Sequence, residues 1–328
     1  ICLAELRGVA ELKIVVVGAG AMGSRFGSAL FTSGHDVTLV DSWIEHVDKI
    51  NKNGLSVTDE RGTRLITITS VLPEEFSGRA DLLLMFTKSM QTETMIKKCL
   101  HMIAKETEIV TLQNGIGNLE MLSKYISKDQ LFAGTTTYAS NLTEAGSVHA
   151  YGSGMIEMMH INGNRKEDAE RIVTLLNAAG LVAKLSDDVM RSIWEKAAFN
   201  AVLNPLCTLT SSPVGTIGSY ESIMEIIEGI LEEIELISRA EGVSLDKRNV
   251  LSVIEGVFHP DMSAHHFSSM YHDIQRGRGT EIDYLNGAFI RKAHKHGISA
   301  PINTMIFHLI KIIENRFQMN DNISVQQV

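Results

Sequence analysis

Apolar and polar positions change rhythm near the middle of the chain. Up to about residue 186, short apolar runs alternate with amphipathic stretches and glycine-bearing turns. Residues 12–17 (LKIVVV) read as a strand, interrupted by 18–23, with a helix following to about Thr32. A turn at Gly34-His35-Asp36 leads to a strand over 37–40 and a helix over 43–52, which Gly54 ends. Residues 65–69 predict a strand, and so do 81–86 (DLLLMF), almost uniformly apolar beyond Asp81, as in a parallel strand covered on both faces. Residues 90–103 read as helix and 109–112 as strand, before the tight Gln113-Asn114-Gly115 segment. From 133 to 160 the pattern favours strands, with a turn at 141–146 and a strand at 155–159; the last helix of this half is 167–179. Residues 187–328 read almost entirely as helix. Helices are expected at 193–209 and at 222–241, where Ile223, Ile227, Ile230, Ile234 and Ile237 form one stripe and Gly242 is the stop. A third runs from about 270 to 296, with three glycines that permit breaks, and a fourth from Pro301 to roughly Phe317, followed by a frayed polar tail. The expected fold is an α/β domain with a mostly parallel sheet over 1–186, then an all-helical domain over 187–328.

Composition narrows the function classes. A length of 328 residues suits two domains, and 44% apolar with 21% charged residues is an ordinary soluble mixture. The formal charge, 30 − 39 = −9, argues against a nucleic-acid partner. Cys2, Cys99 and Cys207 are scattered and form no C-x-x-C, a poor disulfide framework that fits a reducing, cytoplasmic location. No apolar run reaches the roughly 18 residues of a membrane span, so no membrane partner is expected. Residues 1–11 lack the pattern of a secretion signal, and a start at Ile1 rather than Met leaves the natural start open. A homodimer is compatible with this composition.

The first chemical signal is Gly18-Ala19-Gly20-Ala21-Met22-Gly23, a G-x-G-x-x-G between a strand and a helix. The first glycine permits the tight turn, the second lets a pyrophosphate approach, and the third permits helix–sheet packing. The motif alone is weak; its place in a strand–turn–helix–strand order raises it to a Rossmann-like dinucleotide site. Asp41 ends the second strand, where a carboxylate would accept from the adenosine ribose hydroxyls; capping the next helix is the plainer role, and both fit together. Ser42 and Trp43 follow it, with no adjacent base, which favours NADH over NADPH unless Lys49, Lys52 or Arg64 arrives from elsewhere. Lys88 and Asn114 each follow a parallel strand, the edge where such sheets bind ligands; an ordinary surface role is the alternative.

The second signal is Lys196, Asn200 and Asn204, spaced by four on a very apolar helix. Such a stripe suits a crevice. The lysine could donate a proton or stabilise an oxyanion, and the amides could orient a substrate. A structural polar network is an equal alternative. A third cluster spans Ser268 to Asp273 and Arg276 to Asn286. Its charges could form a solvated helix face, or Glu281 could hold a substrate hydroxyl. His259, His265, His266 and His272 lack metal-ligand spacing, and no metal is expected.

These residues together resemble the ketopantoate reductase (2-dehydropantoate 2-reductase) family from end to end. The likeness is carried by the glycine motif, Lys88 in F-T-K-S, Gln113-Asn114-Gly115, G-T-T-T-Y-A-S with Gly146 and Val148-His149, Lys196 with Asn200 and Asn204, the serine pair before Met270, and R-G-T-E-I-D-Y-L-N-G at 278–287. The last block with the Lys–Asn–Asn helix is far more specific than the glycines. The resemblance implies a Rossmann domain, a helical substrate and catalytic domain, and NADPH in most members. It implies pantoate formation from a 2-keto acid, hence pantothenate and coenzyme A biosynthesis. Carried over, Lys196 is the general acid and Glu281 binds the terminal hydroxyl and helps close the site. Asn200, Asn204 and Ser269 position the hydroxy-acid end, and Lys88 and Asn114 line the nicotinamide side. Many members carry an arginine after the second strand, where this chain has Asp41-Ser42-Trp43. That departure supports NADH and leaves other 2-keto acids open. A β-hydroxyacid dehydrogenase is the second enzymatic reading, and a nucleotide-sensing regulator the non-enzymatic one.

Overall fold

The computed structural model describes residues 12–259 and 264–325. Residues 1–11, including Cys2 and the stretch read above for a secretion signal, lie outside the described residues. The described chain separates into two compact units. One comprises residues up to Gln113 and Asn118–Ser192; the other comprises Asn114–Gly117 and the chain from Ile193.

In chain order the first unit contains β1 (Lys13–Val17), α1 (Ala21–Thr32), β2 (Asp36–Val40), α2 (Ile44–Asn53), β3 (Leu55–Asp59), β4 (Gly62–Ile66) and β5 (Thr69–Val71). It continues with β6 (Ala80–Met85), α3 (Thr92–Cys99), β7 (Ile103–Thr111), α4 (Asn118–Leu122), β8 (Leu131–Thr136), β9 (Ala139–Glu144), β10 (Ser147–Tyr151), β11 (Ile156–His160), α5 (Lys166–Ala178) and β12 (Ala183–Leu185). Eight strands form the main sheet in the order β12-β11-β8-β7-β6-β1-β2-β5, parallel except where β11 meets β8. The α/β fold with a mostly parallel sheet is therefore as expected. The uniform hydrophobicity of 14–17 and 82–85 has a direct cause. Val16 and Leu39 pack under the glycines of α1, while Val15, Val17, Leu83 and Met85 join Met95, Ile96 and Cys99 of α3 in one buried cluster. Burial pushes the Cys99 thiol up to about 12 and that of Cys207 up to about 11, so both behave as small apolar groups.

A second sheet, β4-β3-β10-β9, corrects the sequence reading. The single strand expected at 65–69 is two: β4 belongs to the second sheet, β5 to the first beside β2. The strand β3 carried too few apolar positions to announce itself. The turn expected at 141–146 shrinks to Ala145-Gly146, because β9 runs to Glu144; Gly146 takes φ +77°. The helix expected over 90–103 is α3 flanked by short 3-10 turns, and Ile103 already belongs to β7.

The second unit holds most of α6 (Val189–Thr210), then α7 (Val214–Gly218), α8 (Ile223–Ala240), α9 (Lys247–Phe258), α10 (Ser269–Gln275), α11 (Asn286–His296) and α12 (Pro301–Val325). The isoleucine stripe of α8 is buried throughout. The segment 270–296 is broken between α10 and α11, where its glycines permit it. Helix α9 was not anticipated, and α12 continues past Phe317 to Val325 instead of fraying there. Among the described residues no helix is long and apolar enough to cross a membrane.

Candidate active site

The glycine turn has three distinct environments, and they match the three roles that dinucleotide binding requires. Gly18 takes φ +90°, and a Cβ there would lie 2.5 Å from the Thr87 nitrogen, so the turn presses against the end of β6. At Gly23 a Cβ would lie 2.0 Å from the Gly18 oxygen. At Gly20, by contrast, it would meet nothing within 4 Å. Gly20 also starts α1, whose first turn carries no acidic residue and no side-chain cap. An open approach to a helix N-terminus suits a pyrophosphate.

Around this turn the first unit places Asp41 and Lys88. Asp41 is half-buried at the end of β2, and its Oδ1 accepts from the Trp43 N–H at 2.9 Å, so it also orders the entry to α2. Of the bases considered above, Lys49 pairs with Glu45 at 3.3 Å and Arg64 with Asp59 at 2.6 Å. Lys88 is exposed, one residue beyond the Thr87 that abuts Gly18. Gln113 holds that loop: its Nε2 donates to the Thr87 carbonyl at 2.6 Å and to Thr92 Oγ1 at 2.8 Å. The motif contained Gln113, but only the fold shows that it ties the end of β7 to the end of β6.

In the second unit, Lys196, Asn200 and Asn204 follow one another along α6. Asn200 is buried; Lys196 and Asn204 are half-buried. Desolvation brings the Lys196 ammonium down to about 8, against the opposing pull of the Glu281 carboxylate. Glu281 is half-buried at the start of a 3-10 turn, between buried Thr280 and Ile282. Thr280 is fixed in turn, its N–H donating to Glu314 at 2.7 Å. Residues 276–281 are not helical, and Asp283 pairs with Lys311 at 3.1 Å, so this block is not a solvated helix face. Asn114 belongs to this unit, where Ile116 N–H donates to the Tyr284 carbonyl at 2.8 Å and Gly115 packs against the same residue.

Two features here escaped the sequence. Ser268, not Ser269, joins α10 to the stripe: its hydroxyl donates to the Asn204 carbonyl at 3.2 Å and accepts from the Tyr271 N–H. Ser269 stands beside it, exposed. Pro205 lies inside α6 and leaves the Ala201 carbonyl without its backbone donor. Asn286 Nδ2 fills that position at 3.1 Å, between Asn200 and Asn204. Among the described residues no group of three or more His, Cys, Asp or Glu could hold a metal ion.

A dinucleotide turn on a doubly wound sheet, followed by a helical unit with a desolvated lysine, defines a nicotinamide-dependent oxidoreductase. The family model "Ketopantoate reductase PanE/ApbA" matches residues 14–163, and its C-terminal counterpart matches 188–314. A 2-dehydropantoate 2-reductase of Lactococcus lactis is 35% identical over 91% of this chain and 97% of its own length. One from Streptococcus pyogenes is 32% identical over 91% and 97%. A ternary structure of D-mandelate dehydrogenase with NADH and anilino(oxo)acetate superposes with a TM-score of 0.91 at 34% identity, covering 94% of this chain and 100% of that one. The chain belongs to the ketopantoate reductase family. It is an NAD(P)H-dependent oxidoreductase acting on a keto acid and hydroxy acid pair.

Proposed function

We propose that the chain reduces the C2 ketone of a 2-keto acid to the 2-hydroxy acid, with NADH as the preferred reductant. Residues 1–186 are assigned the dinucleotide, and 187–328 the substrate and the proton transfer. The observation that carries the reading is Lys196, an ammonium held near 8 by desolvation on the same helix as two amides. Bound NAD(P)H supplies the hydride. Lys196 then stabilises the charge developing on the ketone oxygen and gives it a proton. Asn200, Asn204 and Ser269 orient the acid end, and Asn114 and Lys88 face the nicotinamide. Gly18 to Gly23 cradle the pyrophosphate. Turnover of any 2-keto acid separates this reading from a cofactor-sensing chain, and indifference to 3-hydroxy acids separates it from a β-hydroxyacid dehydrogenase.

The substrate side chain is the finer question. Family relatives point to ketopantoate, whereas the likeness to D-mandelate dehydrogenase points to an aryl 2-keto acid such as phenylglyoxylate. Comparing kcat/KM for the two decides between them. Glu281 gives that comparison a handle, since only ketopantoate has a remote hydroxyl for its carboxylate to accept from. Glu281→Gln is expected to cost ketopantoate about 1–3 kcal/mol more in transition-state stabilisation than phenylglyoxylate. Equal losses would mean that Glu281 supports the site without reading the hydroxyl.

The preference for NADH rests on Asp41, which can accept from a free 2′-hydroxyl and would face a 2′-phosphate at short range. Lys49 and Arg64 are engaged with carboxylates of their own. The D-mandelate dehydrogenase structure holds NADH, in keeping with this choice. Asp41→Ala should narrow the preference, and adding Ser42→Arg should move it toward NADPH by supplying a fork for phosphate. Dissociation constants of both reduced cofactors, for wild type and both variants, provide the check. Tighter NADPH binding by wild type, unchanged without Asp41, would show that another residue selects the cofactor.

A further inference from the structure

His46 is fully buried on α2, and the chemistry above makes no use of it. Both ring nitrogens are engaged. Nδ1 accepts from the Gly146 N–H at 2.9 Å, so the ring proton sits on Nε2, which donates to the Ala19 carbonyl at 2.8 Å. Burial favours the neutral ring, lowering its pKa against the pull of the Ala19 carbonyl and Asp41. The Trp43 indole lies parallel to the imidazole, with centroids 5.2 Å apart. The Ser24 hydroxyl donates to the same Ala19 oxygen at 2.6 Å.

A trans peptide is planar, with its C=O and the following N–H pointing in opposite directions. Two donors on the Ala19 oxygen therefore fix the Ala19–Gly20 peptide and turn the Gly20 N–H away from His46 and Ser24. Of the glycines of this turn, Gly20 is the one whose added Cβ would meet nothing within 4 Å. We infer that His46, together with Ser24, is a positioning residue of the dinucleotide turn, holding the Ala19–Gly20 peptide so that the Gly20 N–H faces the cofactor pyrophosphate. The inference rests on the reading that residues 18–23 hold the dinucleotide.

The test is NADH titration, with steady-state kinetics, on wild type, His46→Leu, His46→Gln and Ser24→Ala. His46→Leu removes the donor and should raise the Kd and KM for NADH about tenfold, with kcat at saturating NADH within about twofold. His46→Gln keeps an amide donor near the Nε2 position and should recover most of the affinity. Ser24→Ala removes the second donor and should weaken NADH by a few-fold, so it carries the test if His46→Leu does not fold. Unchanged NADH affinity in His46→Leu or, failing that variant, in Ser24→Ala would overturn the inference, as would a fall in kcat equal to the rise in KM. A wild type that bound neither NADH nor NADPH would instead remove the reading beneath it.

Discussion

Lys196→Ala is expected to lower kcat by about 10²–10⁴ at saturating substrate, while the Kd for NADH stays nearly unchanged. The lysine is assigned the proton of the new hydroxyl, and the dinucleotide turn belongs to the other unit. Its ionisation sets the pH dependence. Reduction needs the ammonium, so kcat/KM for the keto acid should fall as pH rises through about 8, the value to which desolvation brings Lys196. Oxidation of the hydroxy acid needs the neutral amine and should rise through the same pH. Stability follows the same ionisation with its own sign. The folded pKa lies below the unfolded value of 10.5, so the unfolded chain holds the proton more tightly between about 8 and 10.5, and stability rises with pH across that window. Below it the desolvated ammonium opposes folding, and Lys196→Ala should keep or raise the melting temperature at pH 7. Paired pH profiles of reduction and oxidation, with thermal melts, measure all three. A kcat within a few-fold of wild type would end the assignment of Lys196 as the acid.

The main sheet was legible because its central strands are buried on both faces, which shows as unbroken apolar runs at 14–17 and 82–85. The glycine motif was legible because its spacing between a strand and a helix is fixed along the chain: Gly18 and Gly23 each answer a steric demand, and Gly20 leaves the helix start open. The second sheet was not: β4 is mostly exposed, and β3 finds its partner β10 through a parallel pairing, Val57 to Val148, that no local pattern encodes. Side chains that act on distant backbone were equally silent. His46 reads as one polar residue of an amphipathic helix until Ala19 and Gly146 are seen at its two nitrogens. The stripe of Lys196, Asn200 and Asn204 could be read, but the buried support beneath it could not, because that support depends on Asn286 in α11 reaching the Ala201 carbonyl that Pro205 leaves open in α6.

That support ends at Glu233, and its removal should be the most damaging structural change near the site. Glu233 lies on α8 at 8% exposure and accepts the Ile302 N–H at 2.8 Å, the Asn303 N–H at 2.9 Å and Asn303 Nδ2 at 2.7 Å. These backbone donors belong to the first turn of α12, where Pro301 has no N–H to offer and the helix supplies no acceptor. A carboxylate is favoured there by the helix dipole as well as by its hydrogen bonds. Asn303 Oδ1 then accepts from Asn286 Nδ2 at 3.0 Å, and the same Nδ2 reaches the Ala201 carbonyl that Pro205 leaves open. Glu233→Ala removes the acceptor of three hydrogen bonds and leaves Asn303 Nδ2 with the longer bond to the Ile230 carbonyl at 3.3 Å. The expected loss is about 3 kcal/mol of unfolding free energy, less than the sum of three separate bonds because water can enter the gap. Glu233→Gln retains one acceptor oxygen and should lose roughly half as much. Urea unfolding followed by Trp194, which packs against Phe289 of α11, reads this unit once Trp43 is replaced by phenylalanine. The same variants should lose kcat with little change in NADH affinity, since the disturbed residues adjoin Asn200 and Asn204. A stability loss below about 1 kcal/mol would show that water caps α12 as well as the carboxylate does, and that the stripe on α6 is held in place without it.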